Sequence, residues 1–269
     1  MQEDSRNKYV ISGGEEGKNR LNVLAGAMQP YTSALLQTAG ITEAKTFLDN
    51  GCGGANVAIM VAKMLGPEAK IVATDIDEKI LALAAEEAEQ QNLHNISFLK
   101  MPAYELAYHH YFDIAYARFL LSHLNDPLSA LLKMKDSVKA GGKIIIEDIH
   151  FSGHFCYPKN RAFDKYLELY TEVVKHHGGN AEIGPELPAL FDAAGIKSAS
   201  FDVVQPCFKT GDGKWMAYIT LKRISHALVK ENMITEAELD DLLRELEAFT
   251  EAANTIISLP RIFRIWADL

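Results

Sequence analysis

The feature that most limits how this chain can fold is an alternation of short apolar runs with longer helical segments between Lys45 and Ile149. "KTFLDN", "KIVATD", "NISFLK", "FDIAYA" and "KIIIEDI" read as strands, each four to seven residues of mostly β-branched or aromatic character. "ANVAIMVAKML" and "DEKILALAAEEAEQQ" carry helical spacing. Asn125, Asp126 and Pro127 announce a further helix to about Lys139, because a polar cap followed by proline suits a first turn, and Gly141–Gly142 stop it. Strands that alternate with helices predict an α/β, doubly wound parallel sheet with right-handed crossovers and helices on both faces.

After Ile149 the rhythm changes. "PKNRAFDKYLELYTEVVKHH" is a helical segment placed before "GPELPALFDAAGI", which reads as the next layer helix. "SASFDVVQPCF" reads as a sixth strand. Two helices follow, about Lys214–Lys230 and Glu236–Ala252, the second with a capping-box pattern in Thr235 and Glu238. "RIFRIWA" is the final strand. Residues 1–17 read as a polar lead-in, and Lys18 to Ala39 has helical spacing that Pro30 should interrupt or split.

Composition narrows the function. With 36 acidic against 27 basic residues the net charge is −9, so a nucleic-acid partner is not expected. The start, "MQEDSRNKY", lacks the apolar core of a signal peptide, and no apolar run is long enough to span a membrane. Cys52, Cys156 and Cys207 are odd in number and far apart, which suits a reducing cytoplasm. No Cys/His spacing resembles a zinc site. The pairs His109–His110 and His176–His177 should point adjacent rings in different directions, so no metal is expected.

The turn "DNGCGGAN" joins the first strand to its helix. Glycines there let a ligand approach backbone N–H groups with no Cβ in the way, and the following helix adds its positive end. Asp75, at the end of the second strand, is placed to accept hydrogen bonds from ribose hydroxyls. A dinucleotide pattern would need glycine at position 56, where this chain has Asn56.

"FLDNGCGGAN", "ATDIDEKIL" and "FDIAYARFLLSHLNDPLSALLKMKDSVKAGGKIIIED" together resemble, in order and spacing, the class I S-adenosylmethionine-dependent methyltransferases, in particular the ubiquinone-biosynthesis-like, small-molecule branch. The resemblance covers about residues 45–150. It implies a Rossmann-like seven-stranded sheet with the last strand antiparallel, S-adenosylmethionine as cofactor, and methyl transfer to a small organic acceptor. The single domain would comprise a helical N-terminal cover (1–40), a cofactor-binding core (41–150), and helical insertions (151–184 and 211–254) that cover the acceptor. By the same resemblance Gly51, Cys52 and Gly53 line the methionine moiety, and Asp49 orients the turn and meets the cofactor's ammonium through water. Asp75 holds the ribose, Ile76 contacts adenine, and Ala117 and Arg118 pass near the methionine portion. Arg20 and Tyr9 belong to a segment that folds over the cofactor. Two positions depart from the pattern. Ala55 replaces the third motif glycine. Pro102, beside Ala103, stands where an acid usually binds the adenine amine, which leaves a backbone carbonyl or Glu105 as the acceptor.

Methyl transfer from a sulfonium needs alignment and a dry pocket, and a hydroxyl acceptor also needs a base. His123 in "LLSHL" is the first candidate; His150 and His154, after the fifth strand, are the others. Arg118 suits either the cofactor's carboxylate or an acidic acceptor. The aromatic stripe Phe163, Tyr166 and Tyr170 should mostly pack, with one or two rings toward the acceptor. Tyr157 and Cys156 are expected to line or support the same region. The charged faces of 230–252 are read as solvated, with a homodimer interface as the alternative. The rival readings are a nicotinamide-dependent oxidoreductase and a non-catalytic cofactor-binding subunit.

Overall fold

The computed structural model describes residues 14–269. A seven-stranded sheet is built from β1 (Thr46–Asn50), β2 (Lys70–Asp75), β3 (Ile96–Lys100), β4 (Phe112–Arg118), β5 (Val138–His150), β7 (Ser200–Val204) and β10 (Arg261–Asp268). Its order is β3-β2-β1-β4-β5-β10-β7. β1 pairs in parallel with both β2 and β4, while β10 runs antiparallel to β5 and β7. The last strand is therefore antiparallel, as expected, and it lies inside the sheet rather than at its edge. The strand order reverses between β1 and β4, the place where sheets of this kind leave a crevice at their carboxyl ends.

The central strands are buried on both faces, which explains their continuous apolar runs. One face packs Leu131, Met134, Leu187 and Phe191 from α4 (Pro127–Ser137) and α6 (Leu187–Ala193). The other packs Leu35 and Leu36 of α1 (Gly14–Thr38) and Val57, Ala58 and Val61 of α2 (Asn56–Leu65). The remaining layer helix is α3 (Glu78–Gln90), capped by Asp77.

Three expectations change. First, α1 is one helix that contains Pro30. Pro30 and Gly26, whose carbonyl loses its partner, are both exposed, on the solvent side of the helix. Burial of Met28, Leu35 and Leu36 on the opposite side outweighs the roughly 3 kcal/mol a mid-helix proline costs. Second, β5 begins at Val138, and its pairing with β4 jumps from Phe112↔Val138 to Ile114↔Lys143, so Gly141–Gly142 sit in a bulge. Third, the stretch read as a sixth strand divides: β7 joins the large sheet, and β8 (Cys207–Phe208) joins β6 (Cys156–Tyr157) and β9 (Ile256–Ser258) in a small sheet of order β6-β9-β8.

That small sheet joins the chain over residues 156–176 to the chain over residues 207–258. Their helices α5 (Arg161–His176), α7 (Met216–Lys230) and α8 (Glu236–Glu251) share one apolar cluster, including Phe163, Leu169, Leu221, Leu228, Leu242 and Leu246. The apolar face of α8 is thus used within the chain, and its capping box at Thr235 and Glu238 is formed. His176 and His177 do not diverge. The chain leaves the helix at His177, and both rings approach Glu231, at 3.7 and 2.7 Å.

Candidate active site

A cavity of about 360 Å³ opens at the carboxyl ends of β1, β2, β4 and β5. Its floor is the turn after β1. Gly51 and Gly53 have φ of 71° and 52°, a region that disfavours side chains, and a Cβ at Gly51 would lie 2.7 Å from Leu120. Leu21 of α1 packs over Gly53 and Gly54 from the other side. Backbone bonds fix the turn: Cys52 N–H donates to Thr74 O, and Ala55 N–H to Cys52 O, both at 2.8 Å. The Gly53 amide donates to Asp75 Oδ2 at 2.8 Å, and the Asp77 amide to Oδ1 at 2.9 Å. Burial raises the Asp75 carboxyl above its usual range, and those amides lower it in part.

Asp49 lies beneath this floor and does not line the cavity. Its Oδ2 accepts the Ala58 amide at 3.0 Å, so it holds the first turn of α2 from the strand. Burial pushes its pKa up to about 7, against the lowering effect of Arg118. Ala55, at the position of the missing motif glycine, is fully buried with φ 55°. Cys52 lines the cavity, and burial, with Asp49 and Asp75 nearby, keeps it a thiol.

Of the two arginines, Arg118 is committed to the protein. It donates to Thr32 Oγ1 at 3.1 Å and offsets the buried carboxyls of Asp49 and Glu147. Glu147 is fully buried, accepts the Tyr116 hydroxyl at 2.8 Å, and is raised by that burial. Arg20 is different. It is 8% exposed, its Nε donates to Thr220 Oγ1 at 3.2 Å, and among the described residues no carboxylate lies within ion-pair distance. Arg20 thus lines the cavity as a buried guanidinium.

Ile76, Pro102, Ala103, His123 and His154 also line the cavity. Ile76 is an apolar side chain left 45% exposed. Glu105 is exposed and does not line the cavity. Ala117 faces the opposite side of the sheet and packs in the α4–α6 layer, because successive strand residues alternate. His150 also falls outside: its Nε2 lies 3.1 Å from Ser152 Oγ and 3.2 Å from Glu182 Oε2. Tyr157, 67% exposed, and Cys156 do not reach the cavity. Tyr9 lies outside the described residues.

Several wall residues carry no signal in the sequence. Phe119, Phe151, Met216, Thr220, Leu259 and Pro260 reach the cavity from four separate segments. Tyr166 and Tyr170, on the stripe of α5, also line it, and Tyr170 stacks on Phe151 at 3.8 Å.

A profile of the family described as "Methyltransferase domain" matches residues 41–204. The chain is 25% identical over 229 residues to an uncharacterized methyltransferase of Schizosaccharomyces pombe, covering 80% of each. It is 30% identical over 116 residues to a ubiquinone biosynthesis O-methyltransferase of Acinetobacter baumannii, covering 42% of this chain and about half of that relative, 48%. Phosphoethanolamine N-methyltransferase 2 of Haemonchus contortus, solved with phosphomonomethylethanolamine and S-adenosylhomocysteine, shares the fold. It has a TM-score of 0.58 at 14% identity, covering 94% of this chain and 57% of that one. Together with the sheet order and the glycine turn at the β1–β4 switch point, these matches establish that the chain belongs to the methyltransferase-domain family, as a class I S-adenosylmethionine-dependent methyltransferase.

Proposed function

We propose that the cavity binds S-adenosylmethionine along the glycine turn and a small organic acceptor beneath the helical cover. The observation that carries this reading is the continuity of the cavity, whose wall passes from Gly51–Gly54 and Asp75 to Phe151, Tyr166 and Thr220.

The residues present fit the cofactor. Gly51, Gly53 and Gly54, the positive end of α2 and Arg20, which has no carboxylate partner among the described residues, suit an amino-acid moiety whose carboxylate Arg20 would hold. Asp75 would accept the ribose hydroxyls, and Ile76 with Pro102 and Ala103 would flank adenine through apolar and backbone contacts. When bound, S-adenosylmethionine supplies an activated methyl group on a sulfonium. The protein's part is alignment and exclusion of water: Leu21 and Leu24 of α1 close one side, and Met216, Leu259 and Pro260 close another.

A small acceptor is favoured by the size of the cavity, which lies in the range of small-molecule sites of about 300–1,000 Å³. The net charge of −9 speaks against nucleic acid as the acceptor. Three free thiols at Cys52, Cys156 and Cys207 support a cytoplasmic setting. Among the described residues no helix is long and apolar enough to cross a membrane.

Calorimetric titration with S-adenosylhomocysteine, with NADH as control, tests the cofactor assignment. Saturable S-adenosylhomocysteine binding with no NADH binding is expected. The reverse pattern would overturn it.

A further inference from the structure

We propose that β7 is a docking edge for a second copy of this chain, with the two β7 strands running antiparallel about a two-fold axis and joining the two large sheets into one.

β7 is the outermost strand of the seven-stranded sheet, and among the described residues it pairs with β10 alone. Its outer row of amides and carbonyls has no strand beside it. The pairing with β10 is regular from Ser200↔Trp266 to Val204↔Ile262, so no bulge twists the edge away. The strand has neither lysine nor proline, residues that commonly guard such an edge. Its one charge is Asp202, and that charge is neutralised within the chain. The Arg264 guanidinium holds it through Nε, at 2.6 Å from Oδ1, and through Nη2 on Oδ2. Arg264 Nη1 in turn donates to the Tyr31 carbonyl of α1 at 2.8 Å, which fixes this face of β7 on the α1 side.

The large apolar side chains of β7 lie on the other face. Phe201 stands beside Ile265 and Val203 beside Phe263, on the side of the sheet covered by α4 and α6. The helices leave both uncovered: Phe201 is 59% exposed and Val203 42%. The opposite edge of the sheet is finished differently. β3 carries Lys100 in solvent beside Glu78, and its Ile96 and Phe98 pack partly against the α2 layer. An open, regular, apolar edge is thus a feature of β7 and not of the sheet as a whole.

The residue pattern of β7 selects the partner. A two-fold axis normal to the sheet keeps each face continuous across the junction, so directly opposed residues share a face. With the axis at Asp202, Phe201 lies opposite Val203 of the partner subunit, and Val203 opposite Phe201 of the partner subunit. The strand matches itself, aromatic against β-branched twice over, and both exposed side chains are covered together. On the other face the two Asp202 carboxylates meet, each held by its own Arg264, so the row of four charges sums to zero. An unrelated strand would have to bring this arrangement; a second copy brings it by symmetry. The contact is isologous and therefore closes at a dimer. Neither Phe201 nor Val203 lines the cavity, so the surface is separate from the cofactor reading above.

The test is sedimentation of the full chain and of Phe201→Lys and Val203→Lys. Both positions face solvent, so lysine displaces no core contact. The wild-type chain is expected to pass from monomer to dimer over about 1–100 µM, with no larger species. Each lysine variant should raise the dimer's dissociation constant at least about a hundredfold. At about 1 µM, where all three are monomeric, the variants should keep the wild-type urea midpoint. Amide hydrogen exchange over residues 200–204 should slow as the wild-type chain dimerises and should stay fast in the variants. A wild-type chain that is monomeric at about 100 µM overturns the proposal. So does a dimer that both lysines leave intact. Exchange over β7 that is equally slow at low and high concentration also overturns it, because the edge is then covered by something other than a second copy.

Discussion

The amide of Gly53 donates to the carboxylate of Asp75 across 2.8 Å, which ties the glycine turn after β1 to the end of β2. One side chain therefore both shapes the turn and faces the cavity. Asp75→Ala removes charge-assisted bonds worth about 1.5–3 kcal/mol each. S-adenosylhomocysteine affinity should fall roughly 10- to 100-fold by calorimetry. Unchanged affinity would show that Asp75 serves the turn alone.

The two arginines on the cavity wall should separate binding from folding. Arg118 offsets Asp49 and Glu147, so Arg118→Met leaves buried carboxyls without their cation. It should lower stability by about 2 kcal/mol or more in urea. Arg20→Met abandons no carboxylate among the described residues. It should leave the urea midpoint close to wild type and weaken S-adenosylhomocysteine binding by roughly 10- to 100-fold. Equal effects of the two changes on stability would contradict this division.

Ala55 occupies a left-handed conformation with no exposed surface. In Ala55→Gly, relief of about 1–2 kcal/mol of conformational cost is opposed by the lost methyl burial, about 0.8 kcal/mol, and by a freer unfolded chain. The result should lie within about 1 kcal/mol of wild type. Ala55→Val adds a β-branched side chain where there is neither space nor an allowed φ, and should cost more than about 2 kcal/mol. Chemical denaturation of both variants measures the contrast.

Asp49 should leave a pH signature. Its carboxyl titrates near 7 in the fold and near 3.8 when free, because burial favours the protonated form. The stabilisation of that form is complete below the free value and is lost as the pH rises toward 7. Asp49→Asn has no such loss, and its amide oxygen can still accept the Ala58 N–H. Between pH 5 and pH 8 the variant should gain on the order of 2–3 kcal/mol relative to wild type. A pH-independent difference in urea midpoints would show that Asp49 is ionised throughout.

The local grammar of the chain was readable because its causes are local. Strand runs, the cap at Asp126, the capping box at Thr235 and the glycine turn each depend on residues within a few positions of one another. The interruption expected at Pro30 failed because it weighed the proline without the surface around it. Gly26 and Pro30 face water, and the buried side of α1 holds the helix together.

The family resemblance implied the antiparallel last strand; the residues themselves determined the doubly wound sheet and the turn with Asp75 beside it. These last two follow from the period of apolar residues and from the conformations that only small residues adopt readily. Tertiary structure alone decided which chemistry faces the cavity. His150 and His154 lie four positions apart, yet one pairs with Glu182 and the other meets the cavity, because a short 3-10 turn over Phe151–Gly153 redirects the chain between them. Ala117 and Arg118 are neighbours on opposite faces of one strand. Arg20 finds Thr220 across 200 positions of sequence. Burial, charge and hydrogen-bond partners at such sites come from segments that meet only when the whole chain has packed, and no local pattern encodes them.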